Sequence, residues 1–190
     1  MTWRLRDGTE GWGVVSRALH WGMAGLILFQ LALGVWMVRV PDLIRRFDLT
    51  QLHKSWGTVV FLLALLRILW RALAPARPAL PAAMPVWQRR AAGASHLALY
   101  ALMLLLPLSG WILASASPTQ DLLQMQNLVF GRWPLPDPFV PGSASVEAAA
   151  RLGHVAAAWG LAAVLALHAG AAVWHQLVCR DGLMGRMLHG

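Results

Sequence analysis

Apolar and polar positions along this chain fall into long blocks rather than short alternations. Four apolar runs, at about 18–38, 54–73, 91–116 and 152–178, are each long enough to cross a ~30 Å hydrocarbon core as a helix. Segments rich in proline, glycine and charge separate them: VRVPDLIRRFD, ALAPARPALPAAMPVWQRR and SPTQDLLQMQNLVFGRWPLPDPFVPGSASVE. Spans joined in this way predict an all-α integral membrane protein, an up-and-down four-helix bundle forming one domain over 1–190 with both termini on one side. The opening MTWRLRDGTEGWGVVSR is polar and mixed in charge, and the first apolar run lacks a small-residue cleavage site, so that run is expected to be a retained span. Pro107, inside the third run, predicts a kink that widens the bundle. The stretch Thr119–Phe130, with its DLLQMQNLVF, predicts either a short amphipathic helix on the outer surface, a cap on the bundle, or an ordinary loop helix.

Composition agrees with this pattern. The chain is 58% hydrophobic and 13% charged, with a mean hydropathy of +0.55, values outside the range of soluble domains. Eleven tryptophans against one tyrosine suit interfacial belts. The net charge of +8 comes from arginines scattered between apolar blocks, not from one dense patch, which argues against a nucleic-acid partner. Cys179 is the single cysteine, which excludes an internal disulfide and a cysteine-based zinc or iron–sulfur site. Ten basic residues belong to the side of the termini, namely Arg4, Arg6, Arg17, Arg67, Arg71, Arg77, Arg89, Arg90, Arg180 and Arg186. Six belong to the other side, Arg39, Arg45, Arg46, Lys54, Arg132 and Arg151, and the excess predicts cytoplasmic termini.

Histidines inside the apolar runs are the candidate chemistry, because ionisable residues in hydrocarbon are rare and point to function. His154 and His168 are fourteen residues apart on the fourth run, which separates them by roughly 21 Å along a helix and about 40° around it. His53, after the first outer loop, falls at the level of His154, and His20, near the inner start of the first run, at the level of His168. Two facing pairs follow, His53 with His154 and His20 with His168. The cofactor that fits them best is haem b with one axial imidazole from each of two helices, giving a low-spin iron with no open position for oxygen. Two haem b groups are therefore expected, with these four histidines as the metal ligands. No CxxCH is present for covalent attachment. Zinc, the rival metal, wants three or four ligands at one point, and each pair supplies two.

Other positions carry weaker signals. Gly22, Gly25, Gly57, Gly160 and Gly170 lie near the ligands and would serve either a flat macrocycle or close helix packing. Arg67 stands fourteen residues after His53, at the inner level, where it either binds a haem propionate or snorkels to headgroups. His96 heads the third run without a partner at its level and is read as interfacial, or as a propionate or quinone contact. His175 is expected at the interface and His189 in the tail, while Trp87 and Arg89–Arg90 are positional candidates for a quinone contact.

The residues also resemble a family. GVVSRALHW, LTQLHKSWG, LLRILWR, SHLALYALMLLLPLSGW and the spaced His154 and His168 together are similar to the prokaryotic cytochrome b561 family over nearly the whole chain. That resemblance implies four transmembrane helices, two b-type haems held by His20 with His168 and His53 with His154, and electron transfer at the bacterial inner membrane. One branch of the family oxidises superoxide and passes the electron to ubiquinone, which would make this chain a superoxide:ubiquinone oxidoreductase with lipid, quinone and superoxide or a redox protein as partners. The other reading is the quinone-reducing membrane anchor of a larger dehydrogenase or hydrogenase complex. On the outer face, Arg39, Arg45, Arg46, Lys54, Arg132 and Arg151 outnumber Asp42, Asp48, Asp121, Asp137 and Glu147, a balance able to steer a small anion. Lys54, beside His53, is the best single candidate for an anion or propionate contact.

Overall fold

The helices begin well before the apolar runs they contain. The computed structural model describes residues 4–74, 78–81 and 84–190, so Arg77 of the orientation count lies outside the described residues. Four long helices cross from end to end: α1 (Val14–Met37), α2 (Leu43–Leu73), α3 (Val86–Ser115) and α5 (Ala144–Trp174), all long and apolar enough to span a membrane. A single-turn α4 (Pro118–Leu122), a hairpin of β1 (Leu128–Val129) and β2 (Trp133–Pro134), and α6 (Leu183–Leu188) complete the chain.

Polar helix formers and caps explain the early starts. The Asp42 carboxylate accepts the Arg45 N–H at 2.7 Å and so starts α2 in LIRRFDLTQL, which is not apolar enough to read as membrane. α5 starts in SVEAAARLG, where Glu147 and Arg151 pair at 2.8 Å one turn apart. Their 31 residues make each of these helices about 46 Å long, so their first turns stand clear of the hydrocarbon. This moves His53 and His154 away from the span starts where the apolar pattern puts them. Each lies ten residues after its helix begins.

Neighbouring helices pack in the order α1–α2–α3–α5, and α5 packs extensively only against α3 among the long helices. Met23, Ile27, Ala64, Met103 and Leu161 form the buried centre. Leu28, Leu62, Leu105, Trp159 and Leu167 point outward, which a lipid surround tolerates and water would not. Pro107 lies inside α3 and removes a backbone donor that would otherwise bond the carbonyl of Met103.

The outer connection closes over the bundle as a cap. Of the stretch expected to be amphipathic, Thr119–Phe130, only 119–122, the end of α4, is helical; Gln124 turns to φ 51°, and the chain enters the hairpin instead. The surface-helix reading of Thr119–Phe130 is thereby corrected. Asn127 is buried and ties three elements: Lys54 donates to its carbonyl oxygen, and its amide donates to Asp137. The Phe130 N–H donates to Ser55 Oγ at 2.8 Å, and its ring meets Trp56 edge-on at 5.5 Å. At the opposite end both termini meet. Arg17 donates to the Leu188 carbonyl at 2.9 Å, Trp21 to that of Met187 at 3.1 Å, and Arg186 to that of Ala79.

Asn127→Ala removes the group that links Lys54 to Asp137 and leaves both without that partner at a buried position, a loss of about 1–3 kcal/mol. The detergent-solubilised variant is expected to melt several degrees lower and to be cut sooner by protease within 117–143. An unchanged melting temperature and cleavage pattern would remove Asn127 from the support of the cap.

Candidate functional site

Two imidazole pairs meet across the bundle, both built on α5. His154 faces His53 of α2 with ring centres 6.2 Å apart, and His168 faces His20 of α1 at 6.3 Å. The helices joined in this way, α5 with α2 and α5 with α1, have little direct packing of their own. An imidazole nitrogen lies about 2 Å from a bound transition metal and about 1.1 Å from its ring centre, so two axial imidazoles on one iron have centres about 6.3 Å apart. The observed separations fit that value at both levels.

Details of the outer pair fit a haem ligand set as well. Nδ1 of His154 lies 3.1 Å from the Leu106 carbonyl, which can only accept, and 3.0 Å from Ser109 Oγ. The proton therefore sits on Nδ1 and leaves the Nε2 lone pair for a metal, the usual arrangement of a ligating histidine. The Ser109 hydroxyl donates to the same Leu106 carbonyl at 2.8 Å. The other member, His53, has a buried Nδ1 with no hydrogen-bond partner. Both rings are backed by glycine: a Cβ on Gly34 would come within 3.3 Å of His53 Cε1, and one on Gly110 within 3.1 Å of His154 Cε1. Gln30 of α1 donates to the His53 carbonyl at 2.9 Å, and Gly57 leaves room for its amide, since a Cβ there would lie 3.4 Å from Nε2.

At the inner level Arg67 turns into the bundle. Its guanidinium donates to Nδ1 of His20 at 2.9 Å and lies over the Tyr100 ring at 5.7 Å, so it does not snorkel to headgroups. His96 is not alone: its ring centre is 5.2 Å from that of His168. The expectation of a partnerless interfacial His96 fails because α3 starts at Val86, which carries His96 ten residues, or about 15 Å, into the bundle. Among the described residues, the three inner imidazoles do not bring three donor atoms to one point, as a zinc centre would require.

Other residues singled out from the sequence have varied surroundings. Among the glycines, Gly22, Gly25 and Gly170 have no neighbour opposite them, which fits room for a flat group better than close helix packing, and Gly160 makes an ordinary contact with Leu102. Lys54 is held by Asn127 rather than free beside His53. His175 is bound to Asp181 at 2.5 Å. Trp87 is exposed on the first turn of α3, and Arg89 donates to the carbonyls of Met84 and Pro81, away from both imidazole pairs. Arg90 and His189 are exposed. Gly34, Gly110, Ser109, Gln30, Tyr100 and Asn127 are the supporting residues that sequence reasoning missed. Only the tertiary fold says which side chains sit behind a ring.

Comparison with known proteins agrees with this geometry. Residues 11–190 match the family described as prokaryotic cytochrome b561. The chain is 32% identical over 180 residues to cytochrome b561 homolog 2 of Escherichia coli (strain K12), an alignment that covers 94% of this chain and 92% of that protein. With four membrane-length helices and a match across nearly its full length, the chain belongs to the prokaryotic cytochrome b561 family, the multi-pass b-type cytochromes of bacterial membrane electron transfer.

Proposed function

We propose that the protein is a dihaem b cytochrome of the bacterial cytoplasmic membrane, with both termini cytoplasmic, that carries single electrons from superoxide at its outer end to ubiquinone. One observation carries the dihaem reading: two imidazole pairs at the separation of two axial ligands, stacked on one helix. Haem b bound there supplies a low-spin iron that gains or loses one electron with little rearrangement. His53 and His154 are the ligands of the outer group, and His20 and His168 of the inner.

The remaining residues orient and tune. Ser109 and the Leu106 carbonyl hold the His154 proton on Nδ1, and Gly110 and Gly34 let the two outer rings lie against helix backbone. Arg67 cannot donate to Nδ1 of His20 while that imidazole ligates through Nε2, because ligation requires the proton on Nδ1. With the group bound, the guanidinium would need another acceptor, for which a propionate has the right charge and shape. Arg39 and Arg132 are exposed at the outer end, where they can draw a small anion inward. The excess of arginine at the opposite end supports the cytoplasmic placement of the termini.

Pyridine haemochrome assay of the purified chain should give two haem b per polypeptide, with a reduced spectrum indifferent to carbon monoxide. His20→Ala or His168→Ala should each lose one group and keep the other, and His53→Ala or His154→Ala should lose the remaining one. Retention of both groups in any of the four variants would break the pairing. Superoxide-dependent reduction of ubiquinone by the holoprotein tests the donor separately; its absence would overturn superoxide and leave the haem reading standing.

Two finer outcomes follow from the supporting residues. Arg67→Met removes a positive charge close to the inner pair, which should lower that haem's midpoint potential by on the order of tens of millivolts while the outer one stays in place, as read by potentiometric titration. Gly110→Ala should disturb the outer group's spectrum or occupancy, because the new methyl meets the His154 ring at 3.1 Å, whereas Gly160→Ala, 3.9 Å from Leu102, should be silent.

A further inference from the structure

At the inner end of α5 the helix changes its winding. His175–Cys179 form a π-helical turn, closed by an Arg180 N–H that donates to the His175 carbonyl at 2.7 Å. Such turns are rare and concentrate at functional sites. Arg180 itself takes a left-handed backbone at φ 52°, a conformation that is costly for a non-glycine residue. The two distortions together send the chain back on itself. Asp181 returns to His175, with Oδ2 2.5 Å from Nδ1, and its Oδ1 accepts the Leu183 N–H at 3.2 Å to start α6.

The result is a cluster of three different donors. One atom each of His175, Cys179 and Asp181 all lie within 4.8 Å of one another. On a tetrahedral ion with metal–sulfur bonds of about 2.3 Å and metal–nitrogen or metal–oxygen bonds of about 2.0–2.1 Å, neighbouring ligand atoms are roughly 3.3–3.7 Å apart. Side-chain rotations of about 1 Å therefore bring the three onto one centre. The imidazole and carboxylate are sheltered, at 14% and 18% exposure, while the thiol is open to solvent, which leaves an entry path and a fourth position for water.

We propose that His175, Cys179 and Asp181 form a mixed-ligand site for a divalent ion of the zinc class at the end of the bundle that carries the termini. A thiolate, a neutral imidazole and a carboxylate together balance a 2+ charge, and sulfur and nitrogen donors favour zinc over magnesium or calcium. A lone thiol excludes a centre built from cysteines, but not one to which the helix turn adds an imidazole and a carboxylate. The site lies seven residues, or about 10 Å, beyond His168 along α5, so it is separate from the inner imidazole pair.

Because Cys179 is the single thiol, alkylation reports on this site alone. The haem-loaded protein in detergent is treated with iodoacetamide with and without equimolar Zn2+, and adduct formation is followed by intact mass. Zinc should slow modification about tenfold or more, since a metal-bound thiolate is withdrawn from attack, and Mg2+ should not. His175→Ala and Asp181→Asn should each restore the rate seen without metal, with the visible haem spectrum confirming the fold. If His175→Ala does not accumulate, Asp181→Asn, which keeps the side-chain shape and loses the charge, decides. Equal rates with and without zinc, or protection that survives Asp181→Asn, would overturn the site.

Discussion

An imidazole carried into hydrocarbon must find a partner there, and α5 carries two. That constraint organises the bundle. His154 meets His53 and His168 meets His20, so α5 is coupled through side chains to two helices against which it packs little. The depths of α1 and α2 are set by the same requirement, because a slip of either by one turn would separate its ring from the partner on α5 by about 5 Å. Apolar packing alone gives no such register, since leucine against leucine differs little from leucine against lipid.

The polar and small residues around the pairs act on the rings. Ser109 and Leu106 set a tautomer, Gly34 and Gly110 set how closely a ring approaches a neighbouring helix, and Arg67 brings charge to the inner level. Asn127 joins the outer cap to the helix turn that carries His53, through Lys54, the very next residue. The cap is thus anchored one residue from a ring at the outer level, while the inner level is closed by the termini and α6. The two ends differ in the ligand proposed for each: a small anion at the capped end, and a metal ion at the α5–α6 corner.

Much of this was legible in the amino-acid order. Four apolar runs of membrane length specify four spanning helices, because only helices and closed barrels satisfy their backbone within lipid and continuous runs of about 20 apolar residues suit helices, not barrel strands. The spacing of His154 and His168 is a property of one helix, so their relative depth follows from the rise per residue alone. Helix starts are not legible, because LIRRFDLTQL, VWQRR and SVEAAARLG are helical without being apolar, and the early start of α3 at Val86 is what carries His96 inward to lie beside His168.

Only the tertiary structure decided which glycines touch a ring, where Arg67 points, and how the outer connection folds. Gly34 and Gly110 are no different in sequence from Gly22 and Gly25; what distinguishes them is the helix opposite. DLLQMQNLVF carries an amphipathic pattern, yet the buried Asn127 and its bonds to Lys54 and Asp137 hold it as a cap. His175, Cys179 and Asp181 are close in sequence, but a π-helical turn and one left-handed residue bring their donors together. Periodicity and spacing act within one helix and survive in sequence. Contacts between helices depend on rotations and offsets that only the packed chain defines.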